Sequence, residues 1–227
     1  MKIGLVTFPG SNCDNDLRLA IKRITGKEPI ALWHKDTDLQ GCRGVFLPGG
    51  FSYGDYLRSG AIARFSPIMQ EIIKFAQNGG LVMGICNGFQ ILTEAGLLPG
   101  TLLKNDNQLF NCSSVFIKPA TQHSIITQNL TSNPLKIPIA HGEGRYFCPQ
   151  DTLNNLQEYE QILFRYCNES GEVSSASNPN GSLESIAGVC NKNKNVFGMM
   201  PHPERAADSD IHNTDGLEIL RSFCLNS

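Results

Sequence analysis

An apolar run that breaks at a cysteine flanked by glycines constrains this chain more than any other segment. Leu81 to Ile85 is short enough for a buried strand, and a helical pattern of apolar residues begins directly after Cys86. Gly84 and Gly88 stand two residues before and after the cysteine, the spacing of a nucleophile elbow with cysteine in place of serine. The helix N-terminus would favour a thiolate and a developing oxyanion. A buried structural cysteine beside a tight turn explains this stretch alone equally well.

The rest of the chain alternates short apolar runs with amphipathic stretches, which is typical of an α/β fold with a mostly parallel central sheet flanked by helices. The first amphipathic stretch should end at Gly26, and Asn12 or Asp14 is expected to cap its start. Past Gly100 the runs shorten and include a hairpin, which predicts an extra small antiparallel portion. The predicted strands are 2–8, 30–33, 44–47, 81–85, 112–118, 135–140, 161–166, 186–190 and 196–200, and the predicted helices are 14–24, 61–77, 151–160, 215–224 and one from the elbow to Gly96.

Charge and cysteine spacing narrow the classes of function. The net charge is −2 at pH 7, 18% of the residues are charged, and lysine and arginine do not cluster, so neither nucleic acid nor an anionic membrane is an expected partner. Eight cysteines lie far apart, which disfavours a structural zinc site and predicts mostly buried free thiols. No apolar run has the length of a membrane span, and the N-terminal run is too short for a signal peptide. A cytoplasmic location is therefore the expectation.

Two glycine-rich segments are further candidates for a site. Sites in parallel sheets form beyond the carboxyl ends of strands, and both the loop 48–60 and the elbow follow a predicted strand. The glycines of that loop could turn backbone N–H groups toward a ligand, although the Lys-Ser/Thr ending of a phosphate loop is absent. The second segment, 141–146, holds His141, Glu143 and Arg145 between glycines. The loop 48–60 could instead be an ordinary surface loop, and the segment 141–146 could be a plain connector.

A cysteine nucleophile needs a base and a group that orients the base, and His202 is the best placed of five histidines. It follows the predicted strand 196–200, which should end at the same sheet edge as the elbow. Pro201 and Pro203 stiffen the backbone around it. In an extended segment Glu204 would face the same side as His202, so Cys86, His202 and Glu204 would form a complete nucleophile, base and orienter. A proline-rich strand end with an incidental histidine is the alternative.

These residues also carry a family resemblance. The segments GICNGFQ at 84–90 and PHPE at 201–204 resemble the class I (triad) glutamine amidotransferases. Four longer segments resemble one branch of that family, the glutaminase subunits of phosphoribosylformylglycinamidine synthase. They are PGSNCD at 9–14, PGGFSYGDYLRSGAIA at 48–63, HGEGRY at 141–146 and GMMPHPER at 198–205. The resemblance spans nearly the whole chain and implies one flavodoxin-like glutamine amidotransferase domain over residues 1–227.

The resemblance also implies an activity and a set of roles. Glutamine would be hydrolysed to glutamate and ammonia, and the ammonia would pass to a large synthetase subunit that uses ATP and Mg²⁺ in purine biosynthesis. No cofactor is implied for this chain, and a small third subunit is a further implied partner. The implied residues are Cys86, His202 and Glu204 for catalysis, the backbone N–H groups of Gly50 and Asn87 for the oxyanion, and Gln90, His141, Gly142 and Glu143 for glutamine binding.

Two other interpretations remain open from the sequence. Cysteine hydrolases and deglycase-like proteins use the same elbow on a similar sheet, but their histidine typically follows the cysteine directly, where this chain has Asn87. The second open interpretation is a scaffold or regulatory subunit with an inactive site. The intact set of Cys86, His202 and Glu204 argues against this interpretation.

Overall fold

The computed structural model describes residues 2–227. The strands in that range are β1 (Ile3–Thr7), β2 (Ile30–Trp33), β3 (Gly44–Leu47), β4 (Leu81–Ile85), β5 (Thr101–Leu103), β6 (Asn111–Pro119), β7 (Leu135–His141), β8 (Arg145–Phe147), β9 (Ile162–Cys167), β10 (Ile186–Cys190) and β11 (Val196–Met199). The helices are α1 (Asp14–Thr25), α2 (Pro67–Gln77), α3 (Asn87–Glu94), α4 (Gln150–Glu158) and α5 (Leu217–Asn226). Nine of these strands form one sheet in the order β2-β1-β3-β4-β11-β10-β9-β6-β7, and β5 pairs with β8 separately.

Five neighbouring strands of the large sheet run parallel: β2, β1, β3, β4 and β11. The central one, β4, lies between β3 and β11, and it is buried from Val82 to Ile85. Because parallel strands end at the same edge of a sheet, the segments that follow β1, β3, β4 and β11 meet there. This topology brings the elbow next to the segment 201–204.

The antiparallel part of the fold is mainly a continuation of the same sheet. β11 pairs parallel with β4 on one side and antiparallel with β10 on the other. The predicted hairpin therefore extends the sheet outward through β9, β6 and β7, all in antiparallel pairs. The separate pair of β5 and β8 is a small antiparallel addition. The predicted α/β fold with an antiparallel portion is confirmed, and most of that portion shares the central sheet.

The ends of the helices follow local backbone chemistry. Gly26 adopts the left-handed conformation (φ 70°) and ends α1 as predicted, because glycine tolerates positive φ without steric strain. The predicted capping of α1 by Asn12 or Asp14 is wrong, since Cys13 occupies the cap position and no side chain caps this end. None of the helices in residues 2–227 combines the length and the apolar character needed to cross a membrane.

The helix predicted over 61–77 begins only at α2. Ser66 is extended (φ −62°, ψ 143°) because it precedes Pro67, and a residue before proline avoids the helical conformation. Residues 63–65 form a short 3₁₀ turn instead. The segment 48–66 is consequently one long connection with only short 3₁₀ turns, and it contacts α3 through Ser52 and Arg64.

Candidate active site

Cys86 stands at a sharp turn between β4 and α3, with φ 51° and ψ −107°. This backbone conformation is strained for any residue with a side chain. A Cβ atom on Gly84 would lie 2.5 Å from the Gly88 carbonyl carbon, and one on Gly88 would lie 2.0 Å from the Leu47 carbonyl oxygen. The two glycines are therefore required because the turn is compressed against its own helix and against β3. This is the geometry of an elbow that presents one side chain at the sheet edge.

The strain at Cys86 leads to a prediction on stability. We expect the free energy of unfolding of Cys86→Gly to exceed that of Cys86→Ala by about 1 kcal/mol, so the glycine variant is the more stable one. Release of roughly 1–3 kcal/mol of backbone strain outweighs the roughly 0.5–1 kcal/mol entropic penalty of glycine. Urea unfolding of the two variants measures the difference, and both lack the thiol, so side-chain chemistry cancels. An alanine variant as stable as the glycine variant would show that the elbow is unstrained.

His202 and Glu204 form a buried pair at the end of β11. The Nδ1 atom of His202 lies 2.7 Å from Oε1 of Glu204, and both side chains are almost wholly inaccessible to solvent. The backbone between them is not extended as predicted. A 3₁₀ turn, Pro203–Ala206, begins directly after His202, and the Arg205 N–H donates to the His202 carbonyl at 3.1 Å. Glu204 reaches the imidazole because the chain turns, which the two prolines favour by fixing φ.

The charge of this pair is set by its surroundings. Burial alone would lower the pKa of the His202 imidazole, but the Glu204 carboxylate and the Cys86 sulfur outweigh burial and hold that pKa well above its usual range. A protonated imidazole is thus stabilised beside the Cys86 sulfur. A positively charged histidine is the partner that favours ionisation of a cysteine nucleophile.

Cys86 and His202 line one small cavity of about 170 Å³. In the described conformation the Cys86 thiol donates to the Ala140 carbonyl at 3.6 Å. Within residues 2–227 the Nε2 atom of His202 is buried and has no hydrogen-bond partner. The other residues that line the cavity are Asn12, Cys13, Gly50, Phe51, Phe110, Ala140 and Arg205.

The structure places two backbone donors beside Cys86. The Gly50 N–H has no hydrogen bond among the described residues, and Gly50 has φ 144°. A Cβ atom there would lie 2.8 Å from the Ser11 Cα, so only glycine fits this close crossing of two loops. The Asn87 N–H is the first of α3, and the first N–H groups of a helix have no acceptor within it. Asn87 also accepts from the Ser52 N–H at 3.1 Å through its side chain, which ties the loop to the elbow.

Gln90 and the segment 141–143 form a closed hydrogen-bonded cluster that does not line this cavity. Gln90 donates to the Glu143 carbonyl at 2.6 Å and accepts from the Asn87 amide at 3.0 Å. The Glu143 carboxylate accepts from the Ser59 N–H at 3.1 Å. The structure therefore brings the four predicted glutamine-binding residues together with the elbow helix, in an arrangement whose side-chain groups already have partners.

The His141 side chain is held by two asparagines that lie outside this cluster. Its ring nitrogens lie 3.1 Å from Asn105 Oδ1 and 3.4 Å from Asn180 Nδ2. Burial and the positive charge of His202 lower the pKa of His141 to about 4, so the ring is neutral at neutral pH. Asn105 and Asn180 could not be identified from the sequence, because each stands in a polar stretch typical of an ordinary turn. A buried imidazole requires hydrogen-bond partners for both ring nitrogens, and a search for such partners of His141 could have identified the two asparagines.

The loop 51–60 covers the elbow in a conformation with several positive φ angles. Tyr53, Asp55 and Leu57 have φ of 54°, 53° and 71°. Arg58 anchors the loop to α3 through two hydrogen bonds to the Glu94 carboxylate at 2.6 and 2.8 Å. The loop is thus held by its contacts with α3 rather than by its own backbone preferences.

Asp55 makes this loop sensitive to pH. Burial raises the pKa of the Asp55 carboxyl to about 6, helped by the Glu143 charge and opposed by a hydrogen bond from Ser59. The folded protein therefore holds the proton more tightly than the unfolded chain. The resulting stability is complete below the ordinary pKa of aspartate and is lost as the pH rises through about 6.

We expect Asp55→Asn to melt at a higher temperature than the parent above about pH 6, and at nearly the same temperature near pH 4. The difference at high pH should be about 2–4 °C, for a contribution of roughly 1 kcal/mol after solvent screening of a half-buried carboxyl. Melting curves across this pH range provide the test, with Asp38→Asn as the exposed control. A constant difference at every pH would contradict the role of Asp55 ionisation.

Comparison with known proteins identifies the family to which this chain belongs. A family model for the CobB/CobQ-like glutamine amidotransferase domain matches residues 1–218. The PurQ subunit of phosphoribosylformylglycinamidine synthase from Chlorobium chlorochromatii is 52% identical over 222 residues, which cover 97% of this chain and 95% of that protein. Its counterpart from Synechocystis sp. is 54% identical over 220 residues, with 96% and 98% covered. The chain belongs to the PurQ family of glutamine amidotransferases.

Solved structures agree with this assignment. One chain in the structure of PurLQS from Thermotoga maritima is 42% identical, has a TM-score of 0.86 and matches 99% of this chain and 97% of its own length. A second glutamine amidotransferase from Thermotoga maritima is only 14% identical, with a TM-score of 0.63, and supports the fold alone. Membership in the PurQ family confirms the resemblance seen in the motifs and sets aside the deglycase-like interpretation.

Proposed function

We propose that this chain is the glutaminase subunit of a phosphoribosylformylglycinamidine synthase, hydrolysing glutamine and delivering the ammonia to an ATP-dependent synthetase subunit. The observation that carries the proposal is the shared cavity of Cys86 and the buried pair of His202 and Glu204, in a chain of the PurQ family. Burying a charged pair is costly, and buried pairs with strongly shifted pKa values cluster at functional sites, which favours an active enzyme over an inactive scaffold.

The chemistry assigns one role to each group. The Cys86 thiolate attacks the side-chain amide carbon of glutamine, and the carbonyl π electrons move to the oxygen. The N–H groups of Gly50 and Asn87 stabilise that oxyanion. His202 then donates its proton to the leaving nitrogen, which departs as ammonia and leaves a thioester on Cys86. His202 next takes a proton from water, which attacks the thioester and releases glutamate. Glu204 holds the imidazole and stabilises its charged form.

Glutamine binding requires the closed cluster to open. Gln90, His141, Gly142 and Glu143 are proposed to hold the amino-acid end of glutamine, yet the Gln90 amide is engaged by Glu143 and Asn87 in the described conformation. The backbone N–H groups of Gly142 and Glu143 make no hydrogen bond among residues 2–227, which leaves them able to receive a carboxylate. Hydrogen bonds to the bound glutamine would therefore replace the hydrogen bond between Gln90 and Glu143.

The mouth of the cavity carries an apolar rim suited to a protein partner. Phe51 and Phe110 stack across it with ring centroids 6.3 Å apart, and both are about half exposed. Tyr56, Leu57 and Leu109 are also exposed, on the same two loops. Clustered exposed apolar side chains mark interaction sites. The related Thermotoga maritima structure is of PurLQS, so we propose that this rim contacts the large synthetase subunit.

Ammonia release explains why such a rim should be covered. Ammonia that enters bulk water is protonated and is no longer a nucleophile, so it must pass directly to the synthetase. ATP and Mg²⁺ are proposed to act on that subunit, with no cofactor on this chain, and a small third subunit is proposed to complete the assembly.

Reconstitution tests the proposal. The chain is mixed with the large and small synthetase subunits of the same organism, ATP, Mg²⁺, glutamine and formylglycinamide ribonucleotide, and glutamate and amidine product are measured together. We expect the two products in equal amounts, and much slower glutamate release by the chain alone. The proposed function would be contradicted if the amidine product formed with added ammonia but not with glutamine.

A further inference from the structure

A second buried thiol lies against the pair of His202 and Glu204. Cys13 precedes α1, and its backbone N–H donates to the Gly49 carbonyl at 3.3 Å. The Cys13 sulfur, a ring nitrogen of His202 and a carboxylate oxygen of Glu204 lie within 4.8 Å of one another, and all three residues are buried. Cys13 has no part in the hydrolysis proposed above, so its position needs a separate explanation.

One carboxylate oxygen of this cluster lacks a partner. Within residues 2–227 Oε2 of Glu204 has no hydrogen bond, although the atom is inaccessible to solvent. Buried polar atoms without partners are uncommon in folded proteins and often mark a site for an ion or a ligand. Cys13 and His202 both line the cavity beside Cys86, which gives an ion a route to them.

The donor set is one that zinc favours. Thiolate sulfur, imidazole nitrogen and carboxylate oxygen are the usual zinc ligands, and in a tetrahedral site they stand about 3.6 Å apart. The present separations therefore need only small side-chain shifts. Arg205 donates to the Cys13 sulfur at 3.1 Å, the Cys13 thiol donates to Asn12 Oδ1 at 3.2 Å, and Asp16 at 3.2 Å from the guanidinium offsets the charge of Arg205.

We propose that Cys13, His202 and Glu204 form a site for a thiophilic divalent cation, Zn²⁺ in particular, and that the bound ion inhibits the enzyme. Binding displaces the thiol proton of Cys13 and the proton shared by His202 and Glu204, and both protons pass to solvent. The imidazole nitrogen and carboxylate then bind the ion instead of each other. Because His202 can no longer exchange protons with glutamine, hydrolysis stops while the ion stays bound. Only this inhibitory effect rests on the proposed glutaminase function.

Co²⁺ binding to the full chain tests the site without any reliance on activity, because a thiolate ligand gives a charge-transfer band. We expect the parent, Cys86→Ser and the exposed-thiol control Cys112→Ser to bind Co²⁺ with this band, and Cys13→Ser to lose it. Competition by Zn²⁺ gives the affinity, which should fall at least about tenfold in Cys13→Ser. Circular dichroism and a second variant, Cys13→Ala, separate ligand loss from misfolding.

Either of two results would overturn the site: a band that persists in both Cys13 variants, or one that disappears only in Cys86→Ser. The second would assign metal binding to the nucleophile thiol alone. Glutamate release in buffered Zn²⁺, normalised to each variant's metal-free rate, then tests inhibition. The parent should lose activity and Cys13→Ala should retain it. Binding without inhibition would refute the inhibitory role while leaving both the site and the proposed hydrolysis in place.

Discussion

Cys86→Ala is expected to lower glutamine-dependent product formation by the reconstituted synthase by about 10⁴-fold or more, the scale seen when a triad nucleophile is removed. The thiolate is the group that forms a covalent bond to the substrate, and no other described residue occupies the elbow. Product formation from added ammonia should be unchanged, because that reaction bypasses the glutaminase. Parallel assays with glutamine and with ammonium salt measure both rates.

The matched control for this variant is Cys112→Ala, which removes an exposed thiol that does not line the cavity. It should keep both reactions. A Cys86→Ala variant that folds and still uses glutamine would exclude Cys86 as the nucleophile. Loss of the ammonia-dependent reaction as well would show that the substitution damages assembly rather than hydrolysis.

Glu204→Gln is expected to lower kcat for glutamine hydrolysis by roughly 10³-fold while KM changes by less than about threefold. The glutamine side chain keeps the shape of Glu204 but not its charge, so the largest influence that opposes burial in setting the pKa of His202 would be lost. The imidazolium that must give its proton to the leaving nitrogen would become less favourable. Steady-state kinetics of the complex, with glutamine as the varied substrate, provide the measurement.

The same substitution has a pH signature in stability. Because the pKa of His202 is raised in the folded protein, the pair stabilises the fold below the ordinary imidazole pKa, and this contribution is lost as the pH rises through the raised value. The parent should therefore exceed Glu204→Gln in stability most at mildly acidic pH. The control is Glu160→Gln, which alters an exposed pair of histidine and glutamate, His123 and Glu160. Equal effects of both substitutions on kcat would contradict the special role of Glu204.

The elbow was predictable because its chemistry is local. Gly84 and Gly88 are required by contacts that lie within a few residues of the turn or on the neighbouring strand. The meeting of Cys86 with His202 was also predictable, because β4 and β11 are parallel neighbours and end at one edge. Spacing along the chain sufficed for both, together with the rule that parallel strands carry their sites at the carboxyl ends.

The features that escaped prediction depend on tertiary contacts or on competing local effects. Glu204 reaches His202 through a 3₁₀ turn, which an alternation rule for extended chain cannot describe. The helix expected from 61 begins at Pro67. Ser66 precedes this proline and is restricted to an extended conformation, and this restriction outweighs the apolar pattern of the segment. Cys13 lies near His202 in a region where the loop after β1 crosses the loop after β3 at Gly50 and where Arg205 contacts Cys13, and no spacing rule contains these contacts.

Labelling with an electrophilic glutamine analogue tests the central claim most directly. The chain, in complex with its synthetase subunits, is treated with the analogue in the presence and absence of excess glutamine, and intact mass and peptide mapping locate the adduct. The account predicts a single adduct on Cys86 that glutamine prevents. Labels scattered over several of the eight cysteines, with no protection by glutamine, would show that Cys86 is not the reactive thiol and that the cavity does not bind glutamine.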